Sequence, residues 1–391
     1  MNKKHINIIF ISIFIMILIG FGFKPFFKQK NVNMVENRMA YKVETINFTK
    51  MYQKSEQNKL DNVLSDQIFL SSSMKLFNQI LKGKSAILLT NILFNDCDIT
   101  YRPIFSGLNF LNCTNQLIPV GGDTLKENQE VVTKNLHKIN NYYTKKPVPT
   151  YVYFINRDIS QNFNDSFKDQ QKIYRDYFIS TLNKNIKFDL FELKGSKHFD
   201  KTFLDTDHHM TAEGQYETYE DLVKLLDLSN PVKIVQNICT KNKVMSGTKG
   251  ARIGGRWVID EAVCFNEYKL NNFDIIINNE PGQYGMDTIN VNTKKRLTYA
   301  MMFGGDYAEV IIKNKGKNNH KNLLVLAESY SNAINKLLAN HYQNTYILDS
   351  RHYETLYGEK INVSDYVKKH NIDQVLYYGN IGLYTMLTEG F

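Results

Sequence analysis

Leu323-Leu324-Val325-Leu326-Ala327-Glu328-Ser329-Tyr330-Ser331-Asn332 is a short apolar run that breaks on a carboxylate and a serine. Its length and its Leu/Val content read as a strand buried on both faces of a parallel sheet. Ile334, Leu337 and Leu338 then recur at helical spacing, which predicts a helix over 332–342. Ser329 therefore stands where a strand's C-terminal end turns into a helix. In an open α/β sheet, sites form at that edge, and free N–H groups at a helix start can hold a tetrahedral oxyanion. A serine in this place also serves as an ordinary N-cap.

The same rhythm continues outward. Downstream come a strand at Tyr346–Leu348, a helix at Ser364–His370 and a strand at Gln374–Tyr378. Upstream lie a helical pattern from Lys126 to Tyr143, the apolar run Tyr151–Ile155, a second helical pattern from Gln170 to Asn183, and Phe188–Phe191. Alternating periods of this kind imply βαβ crossovers and a parallel sheet flanked by helices. Between the two stretches, residues 230–318 alternate in shorter segments among glycine-rich turns, including Arg256–Ile259, Phe273–Ile277 and Glu309–Ile312. The expectation is a mostly β insertion in one α/β domain spanning residues 60–391, a separate second domain being the alternative.

A second polar constellation is Thr206-Asp207-His208-His209-Met210-Thr211-Ala212-Glu213-Gly214, with Thr211 placed to cap a helix whose apolar face is Tyr216, Tyr219, Leu222, Val223 and Leu226. If the residues before the cap are extended, Asp207 and His209 share a face and His208 points away. Asp207 then orients His209 and stabilises its imidazolium when the ring acts as base. Two histidines and a carboxylate also suit a metal, but no further ligands stand at helical or hairpin spacing nearby, so no metal is expected.

Composition bounds the rest. The 391 residues, 43% of them hydrophobic, suffice for a large core, and a formal net charge of +9 favours an anionic partner surface. Lysines are scattered, and neither zinc-finger spacing nor an RNA-binding signature is present, which argues against nucleic acid. Lys3 and Lys4 precede an apolar run from Ile6 to Phe23, long enough for a hydrocarbon core of ~30 Å. With no small-x-small cleavage site after it, residues 1–23 read as an uncleaved membrane anchor and the polar residues 24–59 as a stalk. Lys24, Lys28 and Lys30 balance the N-terminal charges, so the flanks alone do not set orientation. Four cysteines fall into two local pairs, which an oxidising compartment would close as Cys97–Cys113 and Cys239–Cys264, four buried thiols in a reducing habitat being the alternative.

Both polar segments, in this order and separation, resemble the bacterial DHHW family, which is similar to the SGNH-hydrolase-like proteins that O-acetylate alginate and other exported polysaccharides. Leu60–Gln67, Phe303-Gly304-Gly305-Asp306-Tyr307, Leu348–Tyr353 and Gln374–Asn380 carry the resemblance further. It implies an SGNH-hydrolase-like fold with a catalytic triad of Ser329, His209 and Asp207, and a serine-bound acetyl group passed to a hydroxyl of an extracytoplasmic glycan. Tyr330, His208 and Arg351 would surround the acceptor. The acetyl would come from a membrane-bound O-acyltransferase, with no cofactor in this chain. An acetylesterase with the same triad, or an inactive glycan-binding surface protein, are the alternatives. Two positions depart from the pattern: Met210 stands in place of Trp, which would alter an acceptor-binding wall, and Ala327-Glu328 in place of Gly-Asp.

Overall fold

The computed structural model describes residues 11–12, 29, 32–33, 38–67, 71–93, 101–104, 108–111, 114–119, 125–145, 147–156, 167–254, 258–317 and 319–387. The chain divides into two compact units, one formed by Met1–Leu88 with Ile253–Val258 and the other by Leu89–Arg252 with Ile259–Phe391. The apolar run at residues 6–23 lies outside the described residues except for Ile11 and Ser12. Among the described residues no helix is long and apolar enough to cross a membrane.

Part of the stretch read as a stalk is ordered structure within the first unit. Short helical turns at Val43–Thr45 and Phe48–Lys50 lead into the helix Lys54–Gln67. Two buried carboxylates explain the order: Asp66 accepts from the Tyr41 N–H at 2.9 Å, and Glu56 accepts from the Asn47 N–H at 2.8 Å. The stretch from Leu60 to Leu88 also belongs to this unit rather than to the one that holds Ser329.

Among the described residues, the largest sheet of the second unit has eight strands: β1 (Thr150–Phe154), β2 (Lys187–Leu190), β3 (Phe273–Ile277), β4 (Glu280–Pro281), β5 (Glu309–Asn314), β6 (Asn322–Ala327), β7 (Asn344–Leu348) and β8 (Gln374–Gly379). They lie side by side in the order β4-β3-β5-β7-β6-β8-β1-β2. Pairing is parallel from β7 through β2 and antiparallel among β4, β3, β5 and β7. The segment read as an insertion thus supplies three antiparallel strands to the central sheet itself, together with a separate hairpin, Ile234–Cys239 against Cys264–Tyr268. Alternation revealed those strands, but register partners more than thirty residues away, such as Val310 against Ile347, leave no local mark. Arg256–Ile259 is not a strand: Arg256 and Trp257 lie outside the described residues, and Val258 and Ile259 occupy a turn.

Strand side chains alternate between two cores, as the pleat requires. Tyr153, Val325, Leu376 and Tyr378 face one side, where Tyr219, Leu222 and Val223 of the helix Ala212–Leu225 cover them. Val152, Phe154, Leu324, Val375 and Tyr377 face the other, under Val132, Leu136, Ile139 and Tyr142 of the helix Leu125–Lys145 and Phe178 of the helix Phe167–Thr181. From β7 the chain crosses past β6 to β8, so the order reverses around β6, and clefts form at such reversals.

Cys239 and Cys264 sit opposite one another in the hairpin register and form a disulfide. Cys97 and Cys113 lie outside the described residues.

Candidate active site

β6 ends at Ala327, its last ladder residue, paired with Tyr378 of β8. Glu328 stays extended and Ser329–Ser331 form one 3-10 turn, closed by the Ser331 N–H to the Glu328 carbonyl at 2.9 Å and the Asn332 N–H to the Ser329 carbonyl at 3.2 Å. The longer helix read over 332–342 is reduced to Asn335–Ala339. Glu328 is buried, and its Oε1 accepts from the Asn380 N–H at 2.8 Å, tying the serine turn to the end of β8. The approach is close: a Cβ on Gly379 would sit 3.0 Å from Glu328 Cγ.

The histidine segment is a tight loop rather than an extended strand. Phe203 pairs with Met210, Leu204 N–H donates to the His209 carbonyl at 3.0 Å, and the residues between them turn. Buried Glu261 holds this loop from within, accepting from the N–H groups of Asp205 and Thr206 at 2.9 Å each and from Thr206 Oγ1 at 2.5 Å. The Thr206 hydroxyl in turn accepts from the Gly247 N–H at 2.8 Å, and the Thr248 N–H donates to Asp207 Oδ2 at 2.8 Å. Position 247 must be glycine for this: a Cβ there would lie 2.3 Å from Asp207 Oδ2.

The two segments meet. Asp207 Oδ1 accepts from His209 Nδ1 at 2.5 Å and from the His209 N–H at 3.1 Å, while His209 Nε2 lies 2.9 Å from Ser329 Oγ. All three side chains are buried. Burial alone would raise the Asp207 carboxyl. The hydrogen bond and charge of His209, the charge of His208 and the Thr248 N–H outweigh it and hold the group well below the usual carboxylate range. A permanently ionised aspartate of this kind fixes the ring with Nε2 free to take a proton from the serine.

Tyr299 lies flat on the His209 ring, with centroids 3.6 Å apart and planes at 4°. Sequence reasoning missed Tyr299, Glu261 and Thr248. The Thr298 cap of the short helix Tyr299–Phe303, just before the glycine block, was the one available signal for the first.

The expected acceptor residues fare differently. His208 does not turn away, because the loop is bent: its ring lies 3.9 Å from that of His209, and Nδ1 meets Thr248 Oγ1 at 2.8 Å. Tyr330 is buried beside His209, its ring 5.1 Å away, and its hydroxyl donates to the His208 carbonyl at 2.6 Å. Arg351 is engaged by both oxygens of Asp349 and by Asp306 at 3.3 Å, and among the described residues it makes no polar contact with the three. Asn332 Nδ2 donates to the Gly304 carbonyl at 3.1 Å, which draws the glycine block against the serine turn. Met210, where the family pattern has Trp, is buried in the core, with Thr218 Oγ1 at 3.2 Å from its sulfur.

Among the described residues, two groups bring three possible metal ligands together: Asp207, His208 and His209, and Asp306, Asp349 and His352. In the first, His209 spends both nitrogens on Asp207 and Ser329. In the second, Arg351 occupies the Asp349 carboxylate. Neither donor set fits a cation better than the contacts it already makes.

The second unit is a mixed α/β fold whose parallel strands gather Glu328, Ser329 and Asn380 at their C-terminal end. The profile of the DHHW proteins matches residues 125–348, more than half of the sequence, and the chain belongs to that family. Among solved structures, PatB1 of Bacillus cereus is 19% identical and superposes with a TM-score of 0.53, over 69% of this chain and 94% of its own. PatB1 with a sulfonyl adduct gives 18% and 0.53, over 69% and 95%. A DHHW family protein of Eubacterium siraeum is 14% identical with a TM-score of 0.55, over 74% and 95%. At these identities the likeness is one of fold. No protein of curated function matches the sequence.

Proposed function

We propose that this protein is an extracytoplasmic serine acyltransferase that places acetyl groups on a polysaccharide through an acyl-Ser329 intermediate. The observation that carries the reading is the unbroken chain from Asp207 through His209 to Ser329, with links of 2.5 and 2.9 Å. Membership of the DHHW family supports the acyl chemistry, and the apolar run at residues 6–23 supports a membrane-held, extracytoplasmic place. An integral-membrane O-acyltransferase is the proposed acetyl source.

In the first half-reaction Ser329 Oγ attacks the acyl carbonyl while its proton passes to His209 Nε2. The tetrahedral intermediate collapses, the leaving group takes that proton, and the acyl group remains as a serine ester. In the second half a glycan hydroxyl gives its proton to His209 and attacks the ester. Collapse returns the proton to Ser329 and releases the acetylated sugar. Asp207 stays ionised throughout and stabilises the imidazolium each time it forms. Tyr299 covers one face of the ring, which limits its rotation and keeps water from that side.

The test is partition. Purified protein given p-nitrophenyl acetate and chitotriose should yield acetylated trisaccharide as well as acetate, and Ser329→Ala should yield neither above background. Acetate with no acetylated sugar, from any of a panel of neutral and acidic oligosaccharides, would replace transfer by ester hydrolysis.

A further inference from the structure

A cavity of about 470 Å3 opens beside the serine turn in the second unit, lined by the hairpin strand Cys264–Tyr268, the β3–β4 region and the residues after Asn332. Its size falls within the range of about 300–1,000 Å3 common for small-molecule sites. Asp207, His209 and Ser329 do not line it, but two lining residues are bonded to the backbone beside them. The Asn332 N–H donates to the Ser329 carbonyl, and Gln215 Nε2 donates to the Met210 carbonyl at 2.9 Å, one residue from His209. The cavity wall is thus joined to the serine turn through Asn332 and to the end of the histidine loop through Gln215.

Its chemistry is mixed in a particular way. Phe265, Tyr268 and Phe273 give aromatic and apolar surface. Gln215, Asn272 and Gln283 give carboxamides, groups that both donate and accept. The charged lining residues, Lys336 and Asp287, neutralise one another at 2.9 Å. Gln215 is buried, and its Oε1 accepts no hydrogen bond from the described residues. That oxygen is not sealed from solvent, so it stands as an acceptor that a ligand hydroxyl could reach in place of water.

We infer that this cavity is an acceptor subsite for one or two neutral sugar residues. A lipid acyl chain would leave the carboxamides unsatisfied, and an anion would find the lysine already paired. A pyranose offers hydroxyls to the amides and a C–H face to the rings. This inference rests on the glycan-acceptor reading above and assigns the place where the sugar chain is held while one of its hydroxyls meets Ser329.

The experiment measures binding, apart from turnover, by ligand-observed saturation-transfer NMR on the full chain. The probes are β-linked trisaccharides of glucose, N-acetylglucosamine and galactose, with hexagalacturonate as the acidic comparator. At least one neutral trisaccharide should bind, and it should bind Ser329→Ala protein equally well. Asn272→Trp, which fills the cavity from an exposed position, should raise Kd by about tenfold or more, and Gln283→Ala by a smaller factor. Gln283→Ala trims an exposed side chain and so serves if the tryptophan variant fails to fold, as judged by melting temperature. No binding by any neutral trisaccharide, binding that both variants leave unchanged, or preference for the galacturonate would overturn the subsite. Ser329 reactivity toward a serine-directed phosphonate is a separate reading: binding without labelling removes the acyl-transfer proposal and keeps the subsite, and labelling without binding does the reverse.

Discussion

His209 Nε2 lies 2.9 Å from Ser329 Oγ although 120 residues separate the two in sequence. One loop and one strand end, each held by its own buried carboxylate, bring them together. Residues that act through one another in this way are not additive. Ser329→Ala and His209→Ala should each lower turnover of a small acetyl ester by roughly three orders of magnitude or more, and the double variant should be hardly worse. Steady-state kinetics on the four proteins measure this. Losses that multiply would show that the two side chains work independently.

Glu261 grips the loop that carries Asp207 through three donors. Glu261→Ala should free that loop and lower small-ester turnover by about tenfold to a hundredfold, since a shift of about 1 Å in a reacting group has that cost. Glu261→Gln keeps one acceptor oxygen but turns its NH2 toward one of the two backbone N–H donors, so it should recover only part of the loss. Equal turnover in the two variants at equal melting temperature would show that Glu261 only fills space.

The Cys239–Cys264 disulfide closes a separation of 25 residues. In the chain-entropy account, a loop of that size contributes ~3.5 kcal/mol. The Cys239→Ser/Cys264→Ser variant should unfold at lower denaturant by that margin, yet still react at Ser329, because the hairpin carries none of Asp207, His209 and Ser329. Chemical denaturation with and without reductant gives the comparison.

His341 is buried, its Nε2 2.6 Å from Tyr219 Oη, and burial followed by the charge of Lys317 lowers its pKa from 6.5 to about 4. The unfolded chain binds this proton near pH 6.5 and the folded chain only near 4. The contribution is therefore complete above pH 6.5 and fades as pH falls toward 4. The loss should reach roughly 2 kcal/mol once partial hydration of the site is allowed for. His341→Gln should flatten that limb of the stability–pH curve, and an unchanged slope would assign the acid loss to other groups.

Much of the second unit was legible because its strands are apolar runs and its helices have clean periodic faces. Gln374–Tyr378, read as a strand, is β8 but for one residue, and Thr211 caps the helix Ala212–Leu225, accepting from the Gly214 N–H. What pattern cannot show is pairing at a distance: β5 against β7, or Glu261 beneath Thr206, depend on tertiary contacts with no local signature. The face of His208 was misread for a related reason. Alternation holds only in extended backbone, and the Phe203–Met210 bridge forces a turn. His209, the ring singled out by spacing, lies 2.9 Å from Ser329 Oγ, but the extended backbone behind that choice is not there.

The most direct measurement is peptide mass spectrometry after treatment with a fluorophosphonate. The account predicts an adduct on Ser329 in the wild-type protein, retained in His208→Ala and absent in His209→Ala. An adduct that persists without His209 and vanishes without His208, or no adduct on Ser329 at all, would contradict it.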